Sequence, residues 1–204
     1  MSLPHFYQII DDVSWLERFL PLGLEVVQLR IKDKPVAFVR DQIKAAKALC
    51  DVSNCQLIIN DYWKMALDEG CNYIHLGQED LAEADLHAIK RHGLKLGVST
   101  HDSAELRTAI ETEPDYIALG PVYHTILKAM KWQPQGVAKV SKWKAQLIDI
   151  PLVAIGGLSL ERAPEVYRAG ADSICVVTDV LLNDEPEQRL SQWLALAART
   201  RRKS

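Results

Sequence analysis

LKLGVSTHDSAELRTAIETEPDYIAL, residues 94–119, holds the unit that decides the fold: an apolar run over 94–98, an amphipathic stretch from Ser103 to Ile110, and a second apolar run over 115–119. Neither run alternates as a half-exposed antiparallel strand would, so protein covers both faces and the strands are parallel. The same run recurs outward from this unit as FYQII (6–10), LEVVQL (24–29), QLIIN (56–60), NYIHL (72–76), PLVAI (151–155) and DSICVV (172–177), eight in all. Helical stretches from Val36 to Leu49, Ala82 to Arg91, Leu160 to Arg168 and Glu187 to Ala198 alternate with them. Gly70, Gly93 and Gly170 stand where a left-handed helix C-cap is expected, each a few residues before a strand.

This alternation predicts an α/β chain forming a single (β/α)8 TIM barrel over residues 1–198, with 199–204 as a basic C-terminal tail. An open doubly wound sheet usually announces a nucleotide with a glycine-rich turn after its first strand, and FYQIIDDVSW (6–15) has no glycine. The 204 residues are 48% hydrophobic and 25% charged, enough for one buried core, and a net charge of −3 gives no pull toward nucleic acid or an anionic membrane. No signal peptide or membrane-length apolar run is present, so a cytoplasmic location is expected, with Cys50, Cys55, Cys71 and Cys175 as reduced core residues. A homodimer is weighed as the assembly state, although no exposed apolar face can be picked out from the sequence.

In such a barrel the chemistry lies at the carboxyl ends of the strands. Strand two ends in Gln28-Leu29-Arg30-Ile31-Lys32, and alternation sends Gln28, Arg30 and Lys32 inward and up to the mouth. Such a cationic cluster needs an anion, either a phosphate or diphosphate or a structural carboxylate such as Asp33, and the two readings are evenly balanced. Asp61 and Asp80 follow strands three and four, and two carboxylates beside a phosphate suit magnesium (Mg2+); Asp61 alternatively caps the next helix. Ser99 on strand five is the favoured phosphate contact there, while His75 and His101 are read more readily as structural than as acid–base groups. After strand six a long connection carries Lys128, placed to reach a phosphate, and 129–136 has the length of a lid. Gly156 and Gly157 after strand seven, with Val177 and Thr178 after strand eight, mark a second, backbone-built phosphate site.

In order along the chain, Gln28-Leu29-Arg30-Ile31-Lys32, Asn60-Asp61, His75-Leu76-Gly77-Gln78-Glu79-Asp80-Leu81, Gly97-Val98-Ser99-Thr100-His101, Gly120-Pro121-Val122, Thr125 with Lys128, and Ala154-Ile155-Gly156-Gly157 resemble the thiamine-phosphate synthase family. The resemblance implies condensation of 4-amino-5-hydroxymethyl-2-methylpyrimidine diphosphate with 4-methyl-5-(2-hydroxyethyl)thiazole phosphate, or its carboxylated form. The products would be thiamine phosphate and pyrophosphate. It further implies that Gln28, Arg30, Lys32, Asn60, Ser99 and Lys128 contact the pyrimidine diphosphate, with Arg30, Lys32, Ser99 and Lys128 as the catalytic groups. Asp61 and Asp80 would ligate magnesium, and Thr125, Gly156, Gly157, Val177 and Thr178 would hold the thiazole phosphate.

Three departures fall on the thiazole side. Leu127 replaces a hydroxyl of the family's Thr-x-Thr-Lys, Thr178-Asp179 replaces Ser-Ala, and Tyr123-His124 replaces Phe-Pro. An acid at 179 would repel a bound phosphate unless its side chain turns outward. A thiazole tautomerase-like barrel, for which His124 would be the acid–base candidate, has no diphosphate to hold and leaves Arg30, Lys32, Asp61 and Asp80 unexplained. A non-catalytic binder of thiamine precursors would bind without turnover, and a phosphosugar epimerase would not need two acids beside three cations.

Overall fold

A computed structural model describes residues 3–125 and 132–201. Eight parallel strands close into a barrel in sequence order: β1 Phe6–Ile10, β2 Val26–Leu29, β3 Gln56–Asn60, β4 Tyr73–Leu76, β5 Lys95–Thr100, β6 Tyr116–Leu119, β7 Leu152–Ala154 and β8 Ser173–Val176. Closure is made by β1 against β8, where Phe6, Tyr7 and Gln8 pair with Ile174, Cys175 and Val176. The predicted single (β/α)8 TIM barrel is therefore the observed fold.

The helices are α1 Ser14–Phe19, α2 Val36–Val52, α3 Trp63–Asp68, α4 Gln78–Glu83, α5 Leu86–Arg91, α6 Ser103–Glu111, α7 Gly136–Lys144, α8 Ala163–Arg168, α9 Thr178–Leu181 and α10 Pro186–Arg201. The helix expected over 82–91 is two helices. Ala84 adopts an extended conformation, and Asp85 restarts the chain as an N-cap whose carboxylate accepts from the Ala88 amide at 2.9 Å. Helix α10 continues to Arg201, into the segment read as a tail, and Arg201 there pairs with Glu25 at 2.9 Å. Gly70, Gly93 and Gly170 have φ of +70°, +70° and +102°, the left-handed conformation expected of them. All four cysteines are free and buried. Among the described residues, no helix is long and apolar enough to cross a membrane.

Strand alternation splits the core into two layers. Residues such as Phe6, Val27, Ile59, Ile74, Leu96, Ile117 and Ile174 face the helices. Tyr7, Ile9, Val26, Ile58, Tyr73, Tyr116, Ala118, Val153 and Cys175 fill the barrel interior. One step further toward the carboxyl ends, the interior turns polar on β2 to β4, where Gln28, Asn60 and His75 are all buried. It stays apolar opposite them at Ala118, Ile155 and Val177.

Candidate active site

A cavity of about 460 Å³ opens at the carboxyl ends of the strands. Its lining includes Gln28, Arg30, Lys32, Asn60, Asp61, Asp80, Ser99, Thr125, Gly156, Gly157, Val177 and Thr178. The fold therefore gathers into one space every residue assigned to catalysis, substrate or metal from the sequence except Lys128, which with Leu127 lies outside the described residues. A second cavity of about 420 Å³ sits at the amino ends of β3 and β4 among Lys47, Asp51, Cys50, Cys55 and Cys71. It is at the wrong end of the barrel for strand-end chemistry.

On the cationic side, Lys32 does not pair with Asp33. Its ammonium bonds to the Asp61 carboxylate across the mouth. Asp61 does not cap α3 either: the N-cap position is Tyr62, with no side-chain capping bond. Asp61 has φ +64°, a left-handed conformation that aspartate adopts more readily than most residues and that Asp33, Asn54 and Glu113 share. Asp80 lies close enough to Asp61 that burial and the neighbouring charge both raise its carboxyl above the usual range, with Lys32 pulling the other way. Two carboxylates repelling one another beside a lysine suit a divalent cation placed between them. They are too few to enclose one alone, since no group of three or more acidic, histidine or cysteine ligands occurs among the described residues. That donor set fits magnesium, which takes one or two carboxylates and completes its shell with water and phosphate oxygens.

Gln28 is 2% exposed, and its amide nitrogen makes no hydrogen bond of full geometry, the Tyr116 hydroxyl being its near neighbour. An unsatisfied buried donor costs about 1–3 kcal/mol, so its position on the cavity wall is explained if a ligand acceptor completes it. His75 is buried between two hydroxyls, with Nδ1 2.7 Å from Tyr116 Oη and Nε2 2.7 Å from Ser99 Oγ. Burial pushes its imidazole down to about 4, with Arg30 adding to the shift against Asp61, so the ring is neutral at physiological pH. His101 is tied down as well. Its Nδ1 bonds Glu105 at 2.8 Å, and its ring stacks on Trp132 at 5.6 Å.

At the strand-seven turn, Gly156 and Gly157 have φ of +94° and +63°. The carbonyls of Ile155, Gly156 and Gly157 are occupied by Val122 N at 2.8 Å, Tyr123 N at 2.9 Å and Arg162 Nη1 at 2.5 Å. The Gly156 and Gly157 amides donate to no described residue, which leaves N–H groups at the cavity for an anion. Asp179 does not confront that site as a free charge. Its oxygens accept from Arg189 Nε at 2.8 Å and Nη2 at 2.9 Å, and from Trp193 Nε1 at 2.7 Å. Tyr123 bonds Glu165, and Arg162 lies over its ring at 4.6 Å, so this departure serves packing between the strand-six loop and α8. His124 is exposed.

Tyr116, Trp132, Glu105 and Arg189 also take part in the site's hydrogen bonds and ring contacts, and the sequence does not single them out. Tyr116 sits inside an apolar strand run and Arg189 on a surface-patterned helix, so neither carried a local signal.

A closed parallel barrel that sets paired cations and carboxylates on one side of its mouth, and a glycine-built amide turn on the other, is a phosphate-handling barrel enzyme. The chain belongs to the thiamine monophosphate synthase family, whose model matches residues 6–180. It is 59% identical over 198 residues to the thiamine-phosphate synthase of Rhizobium etli, covering 97% of each chain. To that of Salmonella typhimurium it is 46% identical over 191 residues, 94% of this chain and 90% of the relative. In three dimensions it resembles the thiamine phosphate pyrophosphorylase of Pyrococcus furiosus with a TM-score of 0.84 at 24% identity, over 96% of both chains.

Proposed function

We propose that this chain joins the pyrimidine diphosphate to the thiazole phosphate, forming thiamine phosphate and releasing pyrophosphate. The observation that carries the proposal is the union of two anion sites of different construction in one 460 Å³ cavity: Arg30, Lys32, Asp61 and Asp80 on β2 to β4, and the Gly156-Gly157 turn after β7. A substrate bearing one phosphate would leave one of them idle.

Between the two sites the cavity wall is apolar at Ile9, Ala118, Ile155, Cys175 and Val177, a surface for two heteroaromatic rings. Arg30 and Lys32 stand where the diphosphate departs and stabilise the charge that grows on it, as Lys128 does in the proposed site. Asp61 and Asp80 would hold magnesium, which would supply further neutralisation of that departing charge. Gln28, Asn60 and Ser99 fix the pyrimidine end by hydrogen bonds. Thr125, Thr178 and the Gly156 and Gly157 amides orient the thiazole phosphate so that the ring nitrogen meets the exposed carbon. No proton need be moved by the protein, in keeping with a neutral, doubly bonded His75 and an exposed His124; this favours the synthase over a tautomerase. A cytoplasmic setting, in which buried thiols such as these stay reduced, is part of this reading.

The test is pyrophosphate release with the pyrimidine diphosphate and magnesium, with and without the thiazole phosphate, beside an Asp61→Ala control. Thiazole-dependent release that the control loses is the expected result. Magnesium-dependent binding without release would replace the synthase by a non-catalytic binder.

A further inference from the structure

We infer that Tyr116 and His75 form a directional hydrogen-bond relay that holds the Ser99 hydroxyl as a donor toward the diphosphate. The inference rests on the proposed function for the identity of the anion, but not for the relay itself. Tyr7 Oη lies 3.3 Å from Tyr116 Oη, Tyr116 Oη lies 2.7 Å from His75 Nδ1, and His75 Nε2 lies 2.7 Å from Ser99 Oγ. The chain runs from the middle of the barrel interior to the cavity wall.

Its geometry depends on a missing side chain. His75 on β4 pairs with Gly97 on β5, and Gly97 pairs with Tyr116 on β6, so the three stand in one row across three strands. A Cβ at Gly97 would overlap the Tyr116 ring. The ring therefore crosses β5 at the one place in the row without a side chain, and reaches a partner two strands away.

The direction follows from donor strength. A neutral imidazole has one donor nitrogen and one acceptor nitrogen, and His75, 6% exposed, bonds hydroxyls on both sides. A phenol, with a pKa of about 10, is a far better donor than an aliphatic alcohol. Tyr116 therefore donates to Nδ1 while accepting from Tyr7, Nε2–H donates to Ser99 Oγ, and the Ser99 proton is left for the cavity. The opposite polarity would spend that proton on His75 and present lone pairs to an anion. The Ser99 carbonyl accepts from Gln78 Nε2 at 2.7 Å, which fixes the backbone under the hydroxyl. His75 and Tyr116 are thus positioning residues, and His75 keeps its proton throughout.

Two-bond nitrogen–proton spectra of protein carrying 15N-histidine report the tautomer directly, with His75→Gln identifying which of the six histidines is observed. The expected result is Nε2–H in the wild type and loss of that single tautomer in Tyr116→Phe. An Nδ1–H tautomer, or an imidazolium at neutral pH, overturns the relay. Calorimetric binding of inorganic pyrophosphate with magnesium supplies the second arm. Tyr116→Phe and Ser99→Ala each weaken binding about tenfold, and the double variant binds no worse than Ser99→Ala alone. Losses that multiply in the double variant overturn the coupling. Absence of pyrophosphate binding in the wild type overturns the diphosphate assignment, while the tautomer still decides the direction of the relay.

Discussion

Asp179 at the start of α9 and Arg189 on α10 form a bidentate pair, 2.8 and 2.9 Å, that Trp193 completes from the next turn. Their side chains are only 14% and 17% exposed, so the pair is well shielded from solvent. It turns an acid that would oppose a phosphate after β8 into a brace between α9 and the carboxyl-terminal helix.

Removing the arginine restores the acid. Arg189→Met is expected to raise KM for the thiazole phosphate about tenfold, leave KM for the pyrimidine diphosphate unchanged, and lower stability by about 2 kcal/mol. Adding Asp179→Asn recovers most of the KM and little of the stability. Steady-state kinetics with each substrate varied in turn, beside a urea melt, check both parts. An equal rise in both KM values would mean that the brace supports the whole mouth and not the strand-eight site.

Asp80 sits against Asp61, and its carboxyl is raised by burial and by that neighbour. A carboxyl raised in the fold favours its protonated form, so at neutral pH the charged form subtracts from stability, and that loss is absent at low pH. Asp80→Asn should therefore melt above wild type in chelator. It should lose the upward shift that magnesium gives the wild type, together with activity. Melting curves at neutral pH with chelator and with magnesium decide it, and a variant less stable in chelator contradicts the like-charge reading.

Gln28 has a buried amide nitrogen with no hydrogen bond of full geometry, its near neighbour being the Tyr116 hydroxyl, so a ligand acceptor would satisfy it better than the protein does. Gln28→Met fills similar volume without a polar atom, so the empty enzyme should gain about 1 kcal/mol while affinity for the pyrimidine diphosphate falls about tenfold. Denaturant midpoints and ligand titration test the opposed signs. Loss of stability with unchanged affinity would make Gln28 a structural residue.

His75 predicts a pH window. In the unfolded chain an imidazole titrates near about 6.5, whereas burial holds it at about 4 in the fold. As pH falls from 6.5 toward 4 the unfolded chain takes up a proton that the native state refuses, so this contribution to stability is intact above the window and lost through it. The loss amounts to about 3 kcal/mol at 1.36 kcal/mol per pH unit. The unfolding free energy of wild type minus that of His75→Gln, measured from pH 7 to 4, should decline by that order. A flat difference would show that the ring titrates in the native state as it does in the unfolded chain.

The sequence made the fold and the first ring of polar residues legible for one reason: strand ends face one mouth, so alternation at Gln28, Arg30 and Lys32 sufficed to aim them. Position along a strand also predicted Ser99, Asp61 and Asp80 at the cavity. What alternation does not encode is reach across strands. Tyr116 was indistinguishable from a core residue because its hydroxyl crosses Gly97 to a residue 41 positions away. The compensation of Asp179 was hidden because Arg189 comes from a helix whose surface pattern shows nothing of its target. Ala84 and Asp85 broke a helix that amphipathic spacing had carried through them, a local backbone choice that periodicity averages over.

Gly157 offers the sharpest separation of binding from backbone strain. Its φ is +63°, and a Cβ there would overlap the His124 carbonyl and the Tyr123 backbone, which cannot rotate away as a side-chain tip would. Gly23 supplies the control, with φ +87° and nothing within 4 Å of an added Cβ. Gly23→Ala should show the conformational penalty alone, about 1 kcal/mol of stability with both KM values unchanged. Gly157→Ala adds displacement of the turn whose amides face the cavity, so the expected result is a larger stability loss and at least a tenfold rise in KM for the thiazole phosphate, with KM for the pyrimidine diphosphate spared. If the two alanine variants lose stability alike and neither KM moves, the Gly156-Gly157 turn shapes the barrel rim without holding a phosphate.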